Sequence, residues 1–221
     1  MSILGTVRST ILSAFVAMPL LLISFVGFLA IGLGNLGLFI LFMGHALAVP
    51  ALTELLHVIF GTAGSLRVAN DISQLVPRMP TNGAAWSGVV NIMPSYWMAH
   101  ISFFFGYLLM NAISIYRLPA DKKSADWLVE SRVTRAATTI ATTVVLVVVL
   151  SVVRYFATGT ETLAGIVLAI LALGGLGMGW YELAAACGAR NADVFGVAQQ
   201  MIPQSRSNEK PMTCVYSPRP S

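Results

Sequence analysis

Charge is scarce in this sequence: charged residues make up only 10% of its 221 positions, against 57% hydrophobic. A water-facing domain carries about a quarter charged residues, so an ordinary soluble surface is excluded. The mean hydropathy of +0.79 agrees. Cysteine is nearly absent. Cys187 and Cys214, both on the C-terminal side, support neither a disulfide framework nor a cysteine zinc site. Histidine occurs three times, as His45, His57 and His100, and no Asn-x-Ser/Thr acceptor is present. The excess of 13 Lys+Arg over 9 Asp+Glu is spread along loops. It forms no nucleic-acid patch and reads instead as topology information.

What the chain does have is long apolar runs. A bilayer core requires roughly 20 apolar residues per helix, and the stretches 97–116, 136–153 and 162–183 meet this. Residues 10–63 are nearly uncharged, with interruptions at Gly32-Leu33-Gly34-Asn35 and at Pro50. One break gives five spans in all; a second, near Pro50, gives six. Periodicity does not decide, because a helix apolar all round has no face to read. The fold class expected is therefore all-α, a transmembrane bundle of five to six spans over residues 1–187. A polar, Pro-containing tail follows at 188–221, and within it 192–202 is a candidate surface helix.

Loop charge assigns sides. The loop 117–135 holds Arg117, Lys122, Lys123, Arg132 and Arg135, and the tail holds Arg190, Arg206, Lys210 and Arg219. By the positive-inside rule both are cytoplasmic, and the positive-poor loops 64–96 and 154–161 share the opposite face. Trp86, Tyr96, Trp97, Trp127 and Trp180 fall near span ends, as interfacial aromatic belts do. The glycine-rich last span contains Gly175 and Gly179, a small-xxx-small pair that lets a second helix approach closely, within the bundle or between copies.

Ionisable residues inside spans are costly and each warrants a functional reading. Glu54 and His57 are three residues apart, hence on one helical face. They are read as a hydrogen-bonded pair between helices, since the Glu-x-x-His di-metal motif requires a second copy. No metal or other cofactor is expected. On the positive-poor face, Arg78, Ser95 and Arg154 are candidate phosphate or headgroup ligands. The guanidinium fork matches phosphate oxygens, and Pro94-Ser95 stands at a helix start suited to anions.

The order Arg78-Met79-Pro80, then Pro94-Ser95, then Arg154 leading to Leu163-Ala164-Gly165, resembles the type 2 phosphatidic acid phosphatase superfamily, six-span lipid phosphatases related to vanadium haloperoxidases. The resemblance covers residues 45–185 and lies in layout. It implies a site on the non-cytoplasmic face, with His100 and Glu161 as the residues left for catalysis. The motifs depart from the family's: Asp71 stands in place of its Lys, and Tyr96 and Trp97 replace its Gly and His. Ala157 occupies the position of the nucleophilic His. The family mechanism uses one imidazole to attack phosphorus and another to protonate the leaving group. The resemblance therefore implies a catalytically silent relative. The segment from Pro94 to Gly106 is also similar to uncharacterised membrane proteins of large algal DNA viruses, which implies an internal virion membrane.

The function expected is a non-enzymatic integral membrane protein with a structural, scaffold or headgroup-binding role. Membrane lipids would be its partners, and the tail a contact for a protein or the membrane surface. The alternative is a divergent lipid phosphatase using Arg78, Ser95, His100, Arg154 and Glu161. A third reading is a small channel or transporter built on His45, Glu54 and His57.

Overall fold

The computed structural model describes residues 3–60, 93–117, 126–158 and 161–188. These form five helices and, among the described residues, no strand. Helix α1 runs Ile3–Leu33, α2 Leu36–Phe60 and α3 Tyr96–Arg117. Helix α4 spans Asp126–Val152 and continues through a π-helical turn, Val153–Thr158; α5 spans Leu163–Ala186. Helices α2 to α5 are each long and apolar enough to cross a bilayer, and α1 adds a shorter apolar run, Ala17–Leu33. Large hydrophobic side chains such as Phe28, Ile31, Val58 and Leu171 are exposed around the outside. A soluble monomer rarely tolerates so much exposed apolar surface. The chain is an integral membrane protein.

Residues 10–60 form two helices. The reversal between α1 and α2 takes two residues. Gly34 adopts φ +59°, its N–H donates to the Ile31 carbonyl, and that of Asn35 to the Ala30 carbonyl. This paired closure demands a left-handed residue, which glycine supplies without strain. The Asn35 side chain then accepts from the Leu38 N–H at 3.1 Å and caps α2.

Of the two counts the sequence left open, the structure has the one with a single break, and no second break occurs near Pro50. A π-helical turn, Gly44–Ala48, precedes the proline, and the Val49 N–H bonds back to the Gly44 carbonyl. Widening the turn accommodates a ring that would otherwise clash with the preceding carbonyls, so Pro50 sits buried inside an unbroken helix.

Helix α3 is the most buried and α4 the least. One side of α3, including Ala99, Phe103 and Tyr107, packs against Val26, Leu41 and Val49 and against Leu173, Tyr181 and Ala184 of α5. Its other side, including Trp97, Ile101 and Phe105, meets Phe15 and Leu22 of α1, Val147 and Leu150 of α4, and Ile166 of α5. Close approach between α3 and α5 depends on Gly106, which faces the Gly174 backbone, and on Gly177. A Cβ on Gly177 would overlap the Phe103 carbonyl, and one on Gly106 the Gly174 carbonyl. Gly175 and Gly179 play no part in this seam: a Cβ at either would meet nothing within 4 Å.

Four further expectations are corrected. The apolar helices cover 96–117, 129–156 and 163–186; the first two outrun the sequence estimates at both ends, and the third begins one residue later and ends three later. Arg154, expected in a link between spans, lies within the helix, because the π turn prolongs α4 to Thr158. Tyr96 and Trp97 are buried at 2% and 0% exposure, so they are core residues and not belt residues. Trp180 points inward, its indole N–H donating to the Ile40 carbonyl at 2.8 Å.

Candidate functional site

Successive antiparallel helices bring the start of α3, the end of α4 and the start of α5 to one end of the bundle. Ser95 immediately precedes α3, where its hydroxyl oxygen accepts from the Met98 N–H at 3.2 Å, as an N-cap does. Thr162 plays the same part for α5, accepting from the Gly165 N–H at 2.9 Å while donating to Met93 Sδ at 3.3 Å. Between these two helix starts lies Glu161, its side chain 2% exposed.

The Glu161 carboxylate accepts a hydrogen bond from the Ser95 hydroxyl. The same oxygen, Oε1, lies 3.8 Å from Nε of the fully buried Arg154. Its second oxygen would lie 3.3 Å from a Cβ on Gly165, so it rests on the first turn of α5. Two helix N-termini and a guanidinium thus surround one buried negative charge. Each favours the ionised carboxylate. Arg154 lies over the Trp97 ring at 4.9 Å, and the Trp97 indole N–H donates to the Phe15 carbonyl at 3.0 Å. The aromatic face provides the guanidinium with a further favourable contact away from water.

Of the candidate site residues, Ser95, Arg154 and Glu161 therefore come together. Arg78 lies outside the described residues. His100 points elsewhere: its Nδ1 meets Nδ1 of His45 at 3.1 Å, and both rings are fully buried. Three residues separate Trp97 from His100, which turns the histidine about 60° around α3, away from the Arg154 side and towards α2.

Glu54 and His57 both meet the start of α3. His57 Nε2 donates to the Pro94 carbonyl at 2.7 Å, and its Nδ1 lies 3.8 Å from Glu54 Oε2. The Tyr96 hydroxyl donates to the other Glu54 oxygen, and the Tyr96 ring meets that of His57 edge to face. Among the described residues no three His, Cys, Asp or Glu gather closely enough to hold a metal ion.

Sequence reasoning missed the His45–His100 contact, the Tyr96–Glu54 bond and Trp97 beneath Arg154. The only available signal was the four-residue spacing of Tyr96 and His100, which puts both on one face of α3. The candidate tail helix 192–202 and the tail contact lie outside the described residues. Comparison with protein-family models, with curated proteins and with solved structures finds no match.

Proposed function

We propose that this chain is a non-enzymatic multi-span membrane protein, with a structural or scaffold role in its membrane. One observation carries the reading: the groups suited to gripping an external phosphate, the Ser95 hydroxyl and the Arg154 guanidinium, are already engaged by the Glu161 carboxylate. An internal anion stands where a substrate's phosphate would have to bind. No imidazole accompanies it, because His100 is committed to His45. Proton transfer requires a group within hydrogen-bond reach of the reacting atom, and a serine–carboxylate–guanidinium cluster offers no such nucleophile and acid pair. The cluster instead ties together the ends of three helices.

Purified protein in mixed micelles is expected to release no inorganic phosphate from phosphatidate or a diphosphate lipid above a boiled control. Robust turnover that disappears in His100→Ala would overturn this reading and restore the divergent phosphatase.

An orientation follows from the five-helix count together with the charge bias. Arg117 and Ala186, where α3 and α5 finish, lie at one end and lead into the segments that the charge bias assigns to the cytoplasm, so the start of α1 is assigned to the opposite, non-cytoplasmic side. In sealed cells an impermeant maleimide is expected to label Ser2→Cys while leaving Cys187 and Cys214 unlabelled. The reverse pattern would invert the bundle.

A further inference from the structure

The seam between α2 and α3 holds ionisable groups that the structural role does not use. At its centre His45 and His100 meet through Nδ1 at 3.1 Å, with ring planes 19° apart and centroids 5.4 Å apart. That centroid separation is little more than the nitrogen contact plus the two ring radii. The rings therefore meet edge to edge in nearly one plane, as an in-line N–H···N bond requires. Face-to-face stacking would place them much closer.

Such a bond needs one Nδ1 that carries a proton and one that does not. His45 Nε2 has no hydrogen-bond partner among the described residues. Whichever ring donates through its Nδ1 keeps a lone pair at its own Nε2. A metal ion is a poorer occupant, because no third His, Cys, Asp or Glu joins the two histidines among the described residues.

The groups facing this seam can be enumerated. From α2 come Glu54 and His57; from α3, Tyr96 one turn from His100, and Tyr107 on the far side of Phe103; from α5, Tyr181 against Tyr107. Helix α1 contributes no titratable side chain between Ala17 and Leu33. Arg154 and Glu161 lie on the other side of α3, with Trp97. Glu54 is thus the carboxyl group on this seam, and it stands at the end of the bundle where α2 finishes and α3 begins.

We propose that the His45–His100 pair is a binding site for one proton in the interior of the bundle, loaded from that end past His57, Glu54 and Tyr96. An aqueous acid gives up its O–H proton, and a new N–H bond forms at the Nε2 lone pair of the ring that donates through Nδ1. The neutral pair becomes a single imidazole–imidazolium cation, and no electrons are exchanged. Only one proton is taken up, since a second would place two like charges a hydrogen bond apart.

Full-length protein carrying ¹⁵N-histidine, in lipid vesicles, tests this through the ring-nitrogen resonances. At neutral pH a coupling across the hydrogen bond between the two Nδ1 atoms is expected, and it should vanish in His100→Gln. Acidification should add one proton to the pair. Absence of the coupling, or two independent uptakes, would overturn the site. In Glu54→Gln and the shape-preserving Tyr96→Phe, deuterium exchange at the Nε2–H of the pair should slow on the order of a hundredfold, the low end of what a positioned proton-transfer group contributes. Unchanged exchange in both, with the coupling intact, would overturn the route.

Discussion

Replacing Arg154 with Met should cost the protein about 3–5 kcal/mol of stability, the penalty for stripping one partner from a buried ion pair. The reason lies in what remains. Glu161 would keep its place between two helix starts at 2% side-chain exposure, with the Ser95 hydroxyl as its principal donor. A carboxylate held out of water against one neutral donor must either stay charged at high cost or take up a proton. Glu161→Gln should be milder, because the amide oxygen still accepts from Ser95. The double change Arg154→Met/Glu161→Leu should recover most of the loss, since an apolar pair of similar volume needs no desolvation. In that variant the Ser95 oxygen retains the Met98 N–H. Reversible unfolding of the purified protein in detergent measures all three, and Glu161→Leu alone closes the double-mutant cycle. An Arg154→Met protein within about 1 kcal/mol of wild type, the span of an exposed pair, would show that the cluster binds nothing together.

That cluster was partly legible in the amino-acid sequence. Helices that alternate direction return every second loop to the same end, so charge bias alone put Ser95, Arg154 and Glu161 on one face. What the residues withheld was rotation. A helix that is apolar all round carries no moment to fix which side meets which neighbour. Nothing in the order of residues therefore showed that Trp97 would lie under Arg154, or that His100 would turn to His45, 55 positions away. The reversal at Gly34 and Asn35 was readable because it is local chemistry. Pro50 left the span count open because the residues before it, Gly44–Ala48, absorb the proline in a wider turn, and no pattern of hydrophobicity announces a π turn. Aromatics near span ends were read by the rule for lipid interfaces. Tyr96 and Trp97 depart from it because each has a polar partner inside the bundle, Glu54 and the Phe15 carbonyl. A buried ring with its polar tip satisfied stays in the core.

The glycines of α5 show the same limit and carry the second large prediction. By spacing, Gly175 and Gly179 form the recognisable pair, yet the seam with α3 uses Gly174 and Gly177. The π-helical segment Ala169–Gly174 delivers the chain to this region in a rotated register. A Cβ on Gly177 would overlap the Phe103 carbonyl oxygen and lie 2.9 Å from the Tyr107 nitrogen; one on Gly106 would lie 2.9 Å from the Gly174 Cα. These obstacles are backbone atoms, which cannot swing aside as a side chain can. The two helices must separate along the seam. In a bilayer, close packing is the main force holding helices together, as lipid offers no hydrophobic gain for reassociation. Gly106→Ala and Gly177→Ala should therefore each lose about 3 kcal/mol or more, at or above the upper end of ordinary overpacking. Separation would also loosen the contact of Phe103 with Trp180 and with His45. Gly175→Ala and Gly179→Ala meet open space and should be neutral, or gain up to about 1 kcal/mol from helix propensity. Unfolding of the four variants under one set of detergent conditions decides the matter. If all four behave alike, α3 and α5 do not meet along this line.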